Sequence, residues 1–289
     1  MIRARFCIFI LAALFFCTEK AFADQLSKDG VVKMFAAANE NHMQAVKFIA
    51  EKNLQGANKK LEEAALQYEM ILSKGFGNGQ VYYNLGNTYY RLGETGKAIL
   101  NYRKAHRLMP RNAEIDANLR LAKNSIEDKE VYYETPAVLQ RVFFWFFLMN
   151  KNEIIAFSVS LYVIVMSLFI ALIILKYQWL KRFIIGFSAG LLIAVVSLGI
   201  KIYAEHGTDR GVVITKKCSV RYGPGEEYEA KYEIHDGAEC VIEQVKGKWY
   251  KVYVHVGIKQ GDALQTDGDK KEDKEIRRGW LHRDDVGAI

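Results

Sequence analysis

At 289 residues, 51% of them hydrophobic, the chain has room for about two ordinary domains, and its three prolines leave no long Pro-rich linker. The formal charge of +7 is unevenly placed: residues 1–23, 24–134, 135–203 and 204–289 carry +2, +2, +5 and −2 in turn. The excess sits beside apolar runs, so the polar regions lack the basic face that phosphate binding needs, which argues against nucleic acid as a partner.

Arg3 and Arg5 precede an apolar run from Phe6 to Phe16, and Ala21-Phe22-Ala23 stands before Asp24. A basic start, a short apolar stretch and an A-x-A site predict a secretory signal peptide over 1–23. Lipoprotein processing at Cys17 is disfavoured, because Phe16 occupies a position that wants a small residue. If the segment is not cleaved, it anchors the chain in the same orientation.

Residues 24–134 predict an α-helical domain. In "VYYNLGNTYYRLGETGKAILNYRKA", residues 81–105, apolar residues recur at helical spacing on both sides of a glycine-containing break at Gly93–Gly96. Leu85, Gly86, Tyr89, Ala98, Tyr102, Ala105 and Pro110 stand where a tetratricopeptide repeat has its signature residues. Stepping back 34 residues pairs Ala98 with Ala64, Tyr102 with Tyr68 and Ala105 with Ile71, so "LEEAALQYEMIL" reads as the second helix of a preceding repeat. The expected layout is a worn repeat over about 45–78, a good one over 79–112 and a capping helix over 113–125. The worn repeat's first helix is placed within 42–55, with Glu51 and Lys52 where leucine and glycine are usual. The capping helix is expected to turn its outer face to water.

First-helix residues off the packing positions are Gln80, Tyr83, Asn84, Asn87, Tyr90 and Arg91, joined by Asn118. Asparagine amides offer both donor and acceptor to an extended peptide, and tyrosine and arginine are frequent anchors of interfaces. These residues are the candidate partner-binding face; the competing reading is a plain solvated surface.

Residues 135–152 include "VFFWFFLM" at 142–149, too short to cross a bilayer and aromatic enough for an interfacial helix. Ile154–Leu175 and Phe183–Tyr203 are each long and apolar enough to cross one, and "KYQWLKR", 176–182, joins them. The basic joint predicts a cytoplasmic loop, which places both flanking domains on the extracytoplasmic side. Gly186 and Gly190 form a G-x-x-x-G, read first as close packing within the two-helix hairpin and second as a dimer contact.

From residue 207 the pattern turns to short β-rich segments with turn residues between them. "CSVRYGPG", the Gly237 turn, "KWYKV" and "GWLHRDDV" together resemble a bacterial SH3-like domain over 207–289, a small all-β barrel of about five strands. "GIKQGDALQTDGDKKEDK", 257–274, is longer than the usual turn and predicts a surface loop. Once the signal has gone, Cys218 and Cys240 are the only cysteines, both on the inward parity of their strands. They could form a disulfide in an oxidising compartment, or stay as buried thiols.

The six histidines show no metal-ligand spacing, and no Walker loop, G-x-S-x-G elbow or surviving C-x-x-C is present. The reading is therefore a non-enzyme with no metal and no cofactor. The order of signal, small repeat domain, two spans and SH3-like domain, with "YYNLGNTYYRLGETGKAILNYRKAHRLMPRNAEIDANLRLAK" inside it, closely resembles the BatE proteins of the bacterial aerotolerance operon. That resemblance implies a multidomain membrane protein of the bacterial inner membrane. It also implies work beside von Willebrand A-domain Bat proteins and a MoxR-type ATPase, with links to oxygen tolerance and envelope stress. An envelope scaffold is the leading expectation, and a sensor that grips peptidoglycan through the SH3-like domain is the alternative.

Overall fold

The computed structural model describes residues 28–128, 137–206, 209–257 and 274–289. The signal peptide over 1–23 and nearly all of the 257–274 loop lie outside the described residues. The chain divides into two compact units, Met1–Leu92 and Gly93–Ile289.

The first unit is helical: α1 over 28–50, α2 over Leu54–Ser73 and α3 over Gly79–Arg91. Its core is drawn from residues at helical spacing, with Ala57, Leu61, Ala64, Tyr68 and Ile71 of α2 buried beside Ala38, Ala45, Val81 and Leu85. Small side chains on α1 let its axis approach the bulkier α2. The helix ends are specified locally. Lys52 takes a left-handed φ of 60°, and the Asn53 N–H bonds back to the Phe48 carbonyl, which closes α1 in a Schellman turn. Asn53 then caps α2 by accepting from Gly56 N–H at 3.0 Å. Gly75, at φ 82°, ends α2 in the same way, and Asn78 caps α3 through Val81 N–H. The first helix is thus earlier and longer than the expected 42–55, and Glu51 and Lys52 belong to the turn after it. Its buried positions are chiefly alanines, which carry little hydrophobic signal.

The second unit opens with α4, Thr95–Leu108, and α5, Ala113–Asn124, the latter capped by Asn112 through Glu114 and Ile115 N–H. Then come α6, Ala137–Val142; α7, Phe144–Leu148; α8, Lys151–Leu175; and α9, Leu180–His206. Seven strands follow: β1 Asp209–Val213, β2 Lys217–Arg221, β3 Ala230–His235, β4 Glu239–Lys246, β5 Trp249–Gly257, β6 Lys274–His282 and β7 Val286–Ala288. They form one antiparallel sheet in the order β3-β2-β6-β5-β4-β1-β7. Among the described residues, hydrogen bonding leaves β3 and β7 as edges, so the sheet is not closed, and it has seven strands rather than about five. β5 and β6 pair from Trp249 with His282 out to Gly257 with Lys274, so the expected loop joins the far end of a long two-stranded ladder.

Val213, Val220, Ile234, Ala238, Val252, Val254, Leu281 and Val286 fill the sheet's core together with Cys218 and Cys240. The two cysteines stand on β2 and β4, which are not neighbours, and are buried thiols rather than a disulfide. Burial, with Asp285 and Asp128 adding like-signed repulsion, pushes the Cys218 thiol up to about 12. Such a thiol carries almost no thiolate at neutral pH and is a poor nucleophile.

α4 and α5 pack on this sheet. A Cβ at Gly96 would lie 2.2 Å from the Val213 carbonyl oxygen and 3.0 Å from Gly237 N, so only glycine lets α4 approach the sheet backbone this closely. Ile126 packs beside Gly237, whose φ is 88°. The capping helix therefore does not turn its whole outer side to water: Lys123, and Ile126 just beyond its end, are covered, although Leu121 stays exposed.

α8 and α9 pack along each other, burying Ile154, Ser158 and Leu161 of one and Ala194 and Ser197 of the other. At 25 and 27 residues they are about 37 and 40 Å long. They are two helices long and apolar enough to cross a membrane, and most of their large apolar side chains are exposed. Lys181 and Arg182 lie on the first turn of α9, so the joint is shorter than expected. A Cβ at Gly186 would meet nothing within 4 Å, and one at Gly190 only Leu161, at 3.9 Å. The G-x-x-x-G is thus not the tight seam of the hairpin that its spacing suggests.

Candidate protein-binding face

α3 has a buried stripe of Val81, Leu85, Gly86, Thr88 and Tyr89. The remaining turns present Tyr83, Asn84, Asn87 and Tyr90 half-buried and Arg91 exposed, all in the first unit. Their spacing puts them along one side of a single helix, which the pattern at 80–91 had indicated. Asn118 lies on α5 in the second unit, half-buried next to the core residue Leu119.

Asn84 is engaged at both ends of its amide. Its Nδ2 donates to Asn39 Oδ1 at 2.9 Å, and its Oδ1 accepts from Gln80 Nε2 at 2.9 Å. Asn39 Oδ1 also accepts from the Tyr68 hydroxyl at 2.5 Å, so one amide oxygen ties α1 to both α2 and α3. Burial pushes the Tyr68 phenol up to about 12, and the nearby Asn84 amide only partly offsets that. The phenol stays protonated and a donor at any ordinary pH.

A second polar link lies one turn on. The Thr88 hydroxyl donates to the Asn84 carbonyl at 2.8 Å and stands 3.0 Å from His42 Nδ1. A hydroxyl has one proton to give, so here His42 Nδ1 is the donor and Thr88 the acceptor. Burial and the Arg91 charge both lower the His42 pKa, which favours the neutral imidazole with its proton on Nδ1. Further along, the Tyr89 hydroxyl donates to Glu69. On α1 and α2, Asn41 donates to Gln67 at 3.2 Å while Lys60 donates to Asn41 at 3.1 Å. Asn39, His42 and Tyr68 were not singled out from the sequence as polar partners. The helical spacing of Phe35, Ala38, His42, Ala45 and Ile49 was the signal that could have found the helix that carries them.

The second unit holds its helices differently. Arg103 of α4 makes a two-pronged contact with Glu239 of β4, at 2.7 and 2.9 Å, and Lys123 of α5 reaches the same carboxylate at 2.7 Å. Burial alone pushes the Glu239 carboxyl up, but the two cations outweigh it and hold it below its usual range. Asp128 accepts from His235 N–H at 2.7 Å, and Asp236 accepts from Gly96 N–H at 3.2 Å. Toward the membrane-length helices, Asn150 and Glu153 form a capping box on α8. The Asn150 amide also donates to the Leu108 carbonyl, and Arg111 pairs with Glu153. Burial lowers the pKa of His106, against the pull of Asp116 at 3.2 Å.

Among the described residues no cluster of three or more His, Cys, Asp or Glu could hold a metal ion. The α3 side carries neutral amide and hydroxyl groups and aromatic area beside one arginine. No curated protein matches the chain. Residues 79–112 match the tetratricopeptide repeat family, a module whose general work is to bind other proteins.

Proposed function

We propose that the protein is a membrane-anchored, non-enzymatic scaffold of the bacterial envelope that binds a partner protein through its repeat region. The match over 79–112 carries this reading, because it covers the helix that presents Tyr83, Asn87, Tyr90 and Arg91. Asn84 belongs to the proposed face and also holds the helices of the first unit together, while Asn118, on α5 of the second unit, is proposed as a separate contact. The exposed apolar surfaces of α8 and α9 support two membrane spans, and the basic joint supports extracytoplasmic placement of both flanking regions. The resemblance of the segment order to BatE proteins supports an inner-membrane aerotolerance or envelope-stress complex with von Willebrand A-domain partners and a MoxR-type ATPase.

The test is site-specific photo-crosslinking in intact bacteria, from a probe at Tyr83 or at Tyr90. A discrete crosslinked partner, lost on Asn87→Ala/Arg91→Ala, is the expected result. A crosslinking pattern unchanged by that double substitution removes the face from the proposal.

A second reading, a wall-binding sensor, draws on the exposed rings of Tyr222 and Tyr228 around Gly223-Pro224-Gly225 in the region that resembles an SH3-like domain. Sedimentation of the full chain in mild detergent with purified peptidoglycan tests it. A pellet fraction unaltered by Tyr222→Ala/Tyr228→Ala counts against it.

A further inference from the structure

An apolar groove of about 480 Å³ runs between α6–α7 and α9, lined chiefly by Leu139, Phe143, Phe147, Leu192, Ile193 and Ile200. Its wall is fastened rather than merely laid in place. Trp145 Nε1 donates to Ser197 Oγ at 3.2 Å, and Lys201 Nζ donates to the Phe146 carbonyl at 2.9 Å and to the Met149 carbonyl. Helices of six and five residues do not hold their shape alone, so these bonds to α9 fix the wall of the groove.

Depth, width and polarity identify the occupant. Lys201 is the first charge after Arg182 along α9, so it marks one boundary of the apolar span. Ile193, eight residues before it, lies about 12 Å deeper at 1.5 Å per residue, close to half of a ~30 Å hydrocarbon core. The groove therefore runs through most of one leaflet. A helix of that length and ~10 Å diameter fills about 900 Å³, roughly twice the space present. The polar side-chain atoms at the lining, Trp145 Nε1 and Ser197 Oγ, are bonded to each other, and the other lining side chains are apolar. Leu192, Ile193 and Ile200 are each more than half exposed, so the protein does not seal the groove itself.

We infer that this groove holds one acyl chain of a phospholipid in the leaflet nearest Lys201. The inference rests on the membrane reading of α8 and α9 and adds a defined lipid site to it. Full-length protein in phosphatidylglycerol/phosphatidylethanolamine vesicles, doped with a phospholipid carrying a photoreactive acyl chain, provides the test. Label is expected on the 139–147 and 192–200 segments. Ile193→Trp and, separately, Leu139→Trp fill the groove and should each cut that label at least fivefold. Ile185→Trp, at a position 69% exposed on the same helix, should leave it unchanged. Equal labelling of all three variants means ordinary surrounding lipid and overturns the site. Release of the protein from vesicles by an alkaline carbonate wash instead overturns the membrane reading beneath it.

Discussion

The central polar links of the two units are of opposite kind. In the first, neutral amides and hydroxyls on α1, α2 and α3 converge on Asn39, and burial and the Arg91 charge favour the neutral form of the half-buried His42 nearby. In the second, α4 and α5 are held to the sheet by two cations around the Glu239 carboxylate. Neutral networks lose little when the pH moves, whereas an ion cluster is strong only while every member keeps its charge. The difference also separates specificity from strength: the amide oxygen of Asn39 accepts only donors placed where Tyr68 and Asn84 stand, while Glu239 draws any cation that comes near.

The largest effect should follow Glu239→Ala, which removes the carboxylate that the partly buried Arg103 and Lys123 share. Breaking such a pair costs about 3 kcal/mol. Hydrogen exchange of the full chain should show faster exchange in α4, α5 and β4, with α1–α3 unchanged. Because the folded carboxyl pKa is held down, this contribution is complete above the unfolded carboxyl range and is lost as pH falls through the folded value. Wild-type exchange in α4 and α5 should therefore rise below about pH 4.3.

Asn39→Ala should be smaller, about 1–3 kcal/mol, since it leaves the buried Tyr68 hydroxyl and the Asn84 amide short of an acceptor. The exchange increase should fall in α1–α3 and be the same at pH 7 and pH 9; a pH-dependent change over that range would show that the network is not neutral. The smallest effect concerns His42. Its folded pKa lies below its unfolded one, so the unfolded state binds the proton first. Stability of the first unit should fall as pH drops below about 6.5 and level off beneath the folded value. His42→Gln should flatten that slope, and an unchanged slope would place the titration elsewhere.

Much of this was legible in the residues. The repeat signature, the paired apolar runs and the β-rich end each carry a strong period, and helices and strands stand where those periods lie. α1 was misplaced because its buried face is built from Ala38 and Ala45, which barely differ from solvent positions in hydropathy. The strand number was missed because β1 and β7 are five and three residues long and are far apart in the sequence, Val212 pairing with Gly287. At the candidate face, spacing alone placed Tyr83, Asn87, Tyr90 and Arg91 along one side of α3, and their binding of a partner is the proposal. Asn84 has a second role that spacing could not show, because its partner Asn39 sits 45 residues away. Arg103, Lys123 and Glu239 read as ordinary surface charges until the fold brought them within 3 Å.

The bond from Asn150 to the last carbonyl of α4, with the Arg111–Glu153 pair beside it, has a kinetic consequence. A recognition module on a slack linker searches a volume, and whatever binds it must halt that search at the cost of rotational freedom. α4 and α5 have no such freedom left, being fixed at one end to the first turn of α8 and along their length to the sheet. If Asn118 of α5 takes part in binding, as proposed, a partner reaching it would meet a surface already at rest and would spend less on stilling it than a swinging module demands.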